Sequence, residues 1–239
     1  MIKKRINQND SFDLELLNSM DLDYVFSEKP QNRLIDKINK IDLVNNNKSK
    51  QLTDLKNEIN SIKNCKLKES ANSTIFGNGN IESPIMIIGG APGESEDLSG
   101  KVFTGNDGRL LEKMLMAIKI KKQNIYITYA VNYRPPEDRK PSKEEIKKYK
   151  FFLEKHISII KPKLIIMMGS TAMESLTGLT NNISIERGKW KDIIIKNTSY
   201  KGIITFDPSY LLRYPENKKK SWEDLKNIRK KIEEFNFKI

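Results

Sequence analysis

The densest concentration of potentially chemical side chains is the stretch Gly89-Gly90-Ala91-Pro92-Gly93-Glu94-Ser95-Glu96-Asp97, followed closely by Phe103-Thr104-Gly105-Asn106-Asp107-Gly108. A tight Gly/Pro turn, an acidic pair and a second glycine-rich turn let backbone approach a ligand closely, with carboxylates beside it. A glycine-rich turn after an apolar run commonly cradles phosphate, but neither GxGxxG nor GxxxxGK[ST] occurs here, which counts against a nucleotide loop. Glu96 and Asp97 have two readings: chemistry on a bound ligand, or capping of the loop and pairing with arginines. Two further clusters stand out, Tyr133-Arg134-Pro135-Pro136-Glu137-Asp138-Arg139-Lys140 and Phe206-Asp207-Pro208-Ser209-Tyr210-Leu211-Leu212-Arg213. The one histidine, His156, lies beside Leu153, Ile157 and Ile160 at helical spacing and reads as structural. The one cysteine, Cys65, excludes an intrachain disulfide and cannot hold a metal cluster by itself.

These clusters follow short apolar runs that alternate with helical segments, the pattern of βαβ units around a parallel sheet. Four strands are predicted, at 85–89, 125–131, 164–169 and 202–206. Helices are predicted at 108–118, 142–160, 170–176 and 219–234, the second opened by a Ser142-x-x-Glu145 capping box. The expected architecture is an α/β three-layer α/β/α sandwich with a mainly parallel four-stranded sheet. In such sheets ligands bind beyond the carboxyl ends of the strands, so the loops starting at Gly89, Val131, Gly169 and Asp207 should line the site.

Residues 1–72 form a polar, Asn/Lys-rich extension with patchy helical spacing at Leu34, Ile38, Ile41 and at Leu52, Leu55, Ile59, Ile62. It is expected to be helical and partly mobile, with the first 30 or so residues mobile and residues 73–239 forming the domain. Of the net charge of +12, the first 72 residues supply +2 (13 basic, 11 acidic) and the rest +10 (30 basic, 20 acidic). A basic excess beside the motifs suits a polyanion, because each cation set against a phosphate releases counterions; heavy use of Lys, Asn and Ile explains part of it without function. No apolar run reaches the length of a signal peptide core or a membrane span, so a cytoplasmic protein without a membrane partner is expected.

In order and spacing, Gly89-x-Ala91-Pro92-Gly93-x-x-Glu96-Asp97, Phe103-x-Gly105, Gly108-x-Leu110-Leu111, the Tyr133–Pro141 cluster, Arg187-Gly188-Lys189-Trp190 and Phe206-Asp207-Pro208-Ser209-Tyr210 together resemble the family 4 uracil-DNA glycosylases. The resemblance covers about residues 74–231 and implies the same sandwich fold. It also implies hydrolysis of the N-glycosidic bond of a uracil, or a related deaminated base, extruded from DNA, as a monomer acting on uracil-containing or abasic strands. By position, Gly90, Ala91, Phe103 and Tyr129 would bind the base, Phe103 as the stacking ring. Glu96, Asp97 and Asp207 would be the catalytic acids, positioning water or supporting a cationic sugar. Arg134, Arg139 and Lys140 would contact phosphates, and Tyr210, Leu211, Leu212 and Arg213 would wedge into the stack and grip the backbone.

The resemblance has departures. Gly90 stands where the family usually has Glu, Tyr129 where an Asn reads uracil, and Asp207 where a His stabilises the departing anion. An ionised Asp207 would repel that anion, so it fits the role only when protonated. The family's four-cysteine iron–sulfur cluster would fall on Ile62, Cys65, Tyr133 and Tyr149, which keep one thiol of four, so no cofactor or metal is expected. These changes leave an alternative, a catalytically impaired DNA-binding module that recognises flipped or abasic sites.

Overall fold

The computed structural model describes residues 33–237, with side chains from residue 47 onward. The expected mobility of the first 30 or so residues falls outside that range. The chain enters through α1 (Arg33–Asn60) and the short α2 (Lys66–Ser70). The sheet strands are β1 (Asn78–Gly79), β2 (Ile85–Gly89), β3 (Tyr126–Tyr129), β4 (Leu164–Met168), β5 (Trp190–Ile195) and β6 (Thr198–Thr205). Around them run α3 (Glu94–Ser99), α4 (Gly105–Ala117), α5 (Lys143–Ile160), α6 (Ser170–Thr177), α7 (Ile183–Glu186), α8 (Pro208–Arg213) and α9 (Lys218–Glu234).

The strand order is β1-β3-β2-β4-β6-β5. The four expected strands form its parallel centre, β3-β2-β4-β6. The sheet differs from the expectation by two antiparallel edge strands, β1 on β3 and β5 on β6. At one edge a hairpin is the physical reason, a chain reversal at Lys196 (φ 45°) returning β5 onto β6; at the other, a two-residue strand needs no apolar run to pair with β3.

Strand alternation assigns the two faces, because successive side chains point to opposite sides. Ile85 and Ile87 of β2, Ile127 of β3 and Ile166 of β4 face Leu111 and Leu115 of α4 and Leu225 and Ile228 of α9. Met86, Ile88, Ile165 and Met167 face Leu153, Ile157 and Ile160 of α5 and Ala172 and Met173 of α6. The result is helix, sheet, helix. The capping box forms as expected, with Ser142 Oγ accepting the Glu145 N–H at 3.2 Å and Glu145 Oε2 accepting the Ser142 N–H at 2.7 Å.

The connections from β2 to β3 and from β3 to β4 leave on opposite sides of β2, which puts the topological switch at the carboxyl end of β2, at Gly89 and Gly90. A third apolar cluster joins α1 to the loops after β2 and β3: Leu55 and Ile59 of α1, Cys65, Leu67, Tyr133 and Tyr149, with Ile62 and Ala91 packed against it. The four positions at which the resemblance would place cluster ligands therefore do meet in space. They meet as packing, with the Cys65 thiol 3.3 Å from the Tyr149 hydroxyl and Tyr133 edge-on to Tyr149 at 6.3 Å. One thiol beside an aliphatic chain and two phenols does not supply the thiolate set a cluster needs.

Candidate active site

A cavity of about 700 Å³ opens at the switch point, bordered by the loops after β2, β3, β4 and β6. That is the position expected for a ligand in an open parallel sheet. Its inner wall is aromatic. Phe103 and Tyr129 stack with ring centroids 4.9 Å apart and planes at 25°, both side chains nearly fully buried. Phe103 adopts a left-handed backbone (φ 45°), an uncommon conformation for a bulky residue that must be held by its surroundings. Its N–H donates to the Tyr129 hydroxyl at 3.1 Å, and Lys122 Nζ donates to its carbonyl at 3.3 Å. Two glycines make room: a Cβ on Gly89 would lie 2.7 Å from the Tyr129 ring, and one on Gly108 would lie 2.0 Å from the Phe103 carbonyl oxygen.

The departure at Gly90 has a steric counterpart. A Cβ there would sit 3.2 Å from Cβ of Thr171, at the start of α6, so Gly90 and Thr171 share the space that a larger side chain would claim. Tyr129 in turn places a phenol, with one donor and two acceptor sites, where the family's amide would be.

Among the acids, Glu96 borders the cavity, but its oxygens are committed to the loop. Oε2 accepts the Gly93 N–H at 3.1 Å, and Oε1 accepts the Thr104 N–H at 2.7 Å. Asp97 corrects the expectation of a second acid in the site, because it does not border the cavity. Its Oδ1 accepts the N–H groups of Asn72 and Ser73 at 2.9 and 3.1 Å, and its Oδ2 accepts Asn72 Nδ2 at 2.8 Å. Adjacent residues on a helix project in different directions, so only one of the pair can face the ligand. Asp207 caps α8, its Oδ1 accepting the Ser209 N–H at 2.9 Å. Burial pushes its carboxyl above the ordinary 3.8, against the pull of the Ser209 hydrogen bonds and Arg213.

Asp107, on the first turn of α4, also borders the cavity and was missed by the motif reading, which used that stretch for its glycines. Burial raises its pKa to about 6, helped by Asp207 and Glu96 and opposed by Arg213. A carboxyl beside glycines in the second turn was the available signal.

The basic residues are paired. Arg139 grips Glu145 through two bonds of 2.7 and 2.8 Å, Lys140 reaches Glu174 at 2.9 Å, and Arg134 pairs with Asp138 at 2.7 Å. Arg139 and Lys140 lie on the cavity rim, as does Arg213, which has no ion-pair partner among the described residues. A second correction concerns the wedge. Leu211 is 1% exposed and belongs to the core, whereas Leu212 (39%) and Tyr214 (48%) are the apolar tips in solvent. Tyr210 stacks on Phe206 and lies tilted by 40° against Tyr214, with both centroid distances 4.9 Å, an aromatic row running from the cavity wall to the surface. His156 lies outside the cavity, stacked on Phe76 at 4.4 Å and hydrogen bonded to the Tyr126 hydroxyl at 2.8 Å, as a structural histidine would be.

A ligand cavity at the switch point of a three-layer sandwich, walled by a buried aromatic pair and rimmed by acids and cations, has clear relatives. The profile of the Uracil DNA glycosylase superfamily matches residues 76–226. The type-4 uracil-DNA glycosylase of Archaeoglobus fulgidus is 32% identical over 181 residues, covering 74% of this chain and 91% of its own. That of Sulfurisphaera tokodaii is 33% identical over 183 residues (74% and 83%), and that of Thermotoga maritima 36% over 154 (64% and 79%). The chain belongs to the uracil-DNA glycosylase superfamily, in its type-4 family.

Proposed function

We propose that this protein excises uracil from DNA, hydrolysing the N-glycosidic bond of an extruded nucleotide and leaving an abasic site. The observation that carries this reading is the cavity itself. A flat aromatic wall and convergent carboxyl groups sit at the switch point, where an open parallel sheet takes its ligand, within a chain whose relatives over most of its length are named as uracil-DNA glycosylases. The base stacks in the cavity walled by Phe103 and Tyr129, and the backbone turns at Gly90 and Ala91 leave room for its edge. Burial pushes the Asp207 carboxyl above its ordinary range, and in its protonated form Asp207 keeps Oδ1 on the Ser209 N–H and offers Oδ2–H to the base as it acquires negative charge. Glu96 holds the two halves of the loop in register.

Arg139, Lys140 and Arg213 take the flanking phosphates, the first two by exchanging their carboxylate partners for the strand. Leu212 and Tyr214 fill the gap left by the extruded base. The reading includes action as a monomer in the cytoplasm, whose reducing conditions suit a single buried thiol. It includes no iron–sulfur cluster, since three of the four positions lack sulfur. Among the described residues no helix is long and apolar enough to cross a membrane. A module that binds flipped bases without turnover is not favoured, since the matched relatives are named as enzymes.

The decisive experiment supplies uracil-containing oligonucleotides, single and double stranded, and follows free uracil and alkali-labile sites alongside binding. Free uracil at enzyme excess is expected. Tight, salt-dependent binding with no abasic product would instead establish the idle module.

A further inference from the structure

Five carboxyl groups border the cavity: Glu94, Glu96, Asp107, Asp138 and Asp207. Four have work elsewhere. Glu96 is bound to two backbone N–H groups, Asp207 caps α8, Asp138 grips Arg134, and Glu94 lies 4.0 Å from the same arginine. Asp107 differs in that burial and neighbouring charges act on it, and no hydrogen bond does. It is half-buried on the first turn of α4, one turn after Phe103, so its position is fixed by the segment that carries the stacking ring.

We infer that Asp107 is the general base of the reaction, the carboxylate that receives a proton from the attacking water. The inference rests on the uracil-excising reading above. When the C1′–N1 bond breaks, its electron pair leaves with the base, and C1′ accepts a lone pair from the water oxygen. Asp107 takes the proton that water gives up and returns it to solvent, and the departing uracil anion takes up one proton from solvent, so deoxyuridine and water become uracil and an abasic sugar with the carboxylate restored. Glu96 has no oxygen to spare for this, and Asp97 is turned away.

The charged groups facing Asp107 are Asp207 and Arg213 at the two ends of α8, Glu96 of α3 and Asp138 of the turn after Pro135. Burial disfavours a negative charge there, as do Asp207, Glu96 and Asp138 whenever they are ionised, and Arg213 favours it. The balance sets Asp107 to change charge at about pH 6, close to the working range of a base near neutrality.

The test is single-turnover uracil release by the full chain between about pH 4 and pH 8, roughly two pH units either side of that midpoint. The wild type is expected to gain rate with pH through a midpoint near 6. Asp107→Asn is expected to lose that limb and about 10²–10⁴-fold in rate, with affinity for a strand carrying an uncleavable uracil analogue unchanged. Asp107→Glu should restore a limb with a displaced midpoint, and Asp107→Ser, checked for the wild-type melting temperature, stands in if Asn fails to fold. Asp107→Asn or Asp107→Ser releasing uracil at the wild-type rate and with the same pH limb overturns the assignment while leaving the functional reading intact. A wild type that binds uracil-containing strands and releases nothing overturns both.

Discussion

The hydroxyl of Tyr129 accepts the backbone N–H of Phe103 at 3.1 Å while the two rings lie stacked, so the last residue of β3 fixes the left-handed backbone of the residue expected to stack the base. Tyr129 is thus a brace as well as a wall. Removing only its oxygen leaves a buried N–H without a partner, which costs about 1–3 kcal/mol. Tyr129→Phe is therefore expected to lower the melting temperature by several degrees and to raise KM for uracil-containing DNA more than it lowers kcat. An unchanged melting temperature would show that Phe103 is held by packing alone.

Asp97 and Glu96 are adjacent on α3 but serve different parts of the molecule. Asp97→Ala strips three donors at Asn72 and Ser73 of their acceptor and is expected to destabilise the fold by about 2–3 kcal/mol, with the uracil release rate per folded molecule within a few-fold of wild type. Denaturant melts paired with active-site titration check it. A loss of rate at full stability would return Asp97 to the chemistry.

Leu211 and Leu212 divide in the same way. Leu211→Ala is expected to cost about 2–5 kcal/mol of stability, the usual result of opening a cavity in a core. Leu212→Ala should leave stability within about 0.5 kcal/mol, as exposed positions do. Its effect should be confined to double-stranded substrate, where something must replace the extruded base, while single-stranded activity stays level. Equal losses on both substrates would remove Leu212 from the wedge.

His156 supplies a pH dependence of stability. Burial lowers its pKa from the ordinary 6.5 to about 3, so the unfolded chain binds the proton more readily than the folded one. Its contribution is complete above about pH 6.5 and is lost as pH falls towards 3, by up to about 1.4 kcal/mol per pH unit. His156→Gln should flatten that part of the curve in chemical denaturation between pH 4 and 7 (roughly the window between the two pKa values). A parallel slope in the variant would mean that the histidine is solvated.

The parallel centre of the sheet was legible because fully buried strands are continuous apolar runs, and Ile85-Met86-Ile87-Ile88 and Leu164-Ile165-Ile166-Met167-Met168 can be little else. The edges were not. In β5 the exposed Ile194 breaks the apolar logic, and Asn78–Gly79 pairs through backbone that carries no side-chain signature. At the site, motif order located the loops but not the directions of individual side chains. Glu96 against Asp97 and Leu211 against Leu212 are choices between neighbours about 100° apart on a helix, settled by packing from Asn72 and the core. Asp107 went unread because glycines at 105 and 108 explained the segment without it.

The joint formed by Ile62, Cys65, Tyr133 and Tyr149 carries a physiological corollary. A fold whose anchor is a metal cluster has a stability that rises and falls with the supply of that metal and with its oxidation. An anchor of packed side chains is present as soon as the chain has folded, and no chelator can withdraw it. On the proposed reading without a cluster, the stability of this protein is expected to stay level under iron starvation and under oxidants that dismantle clusters.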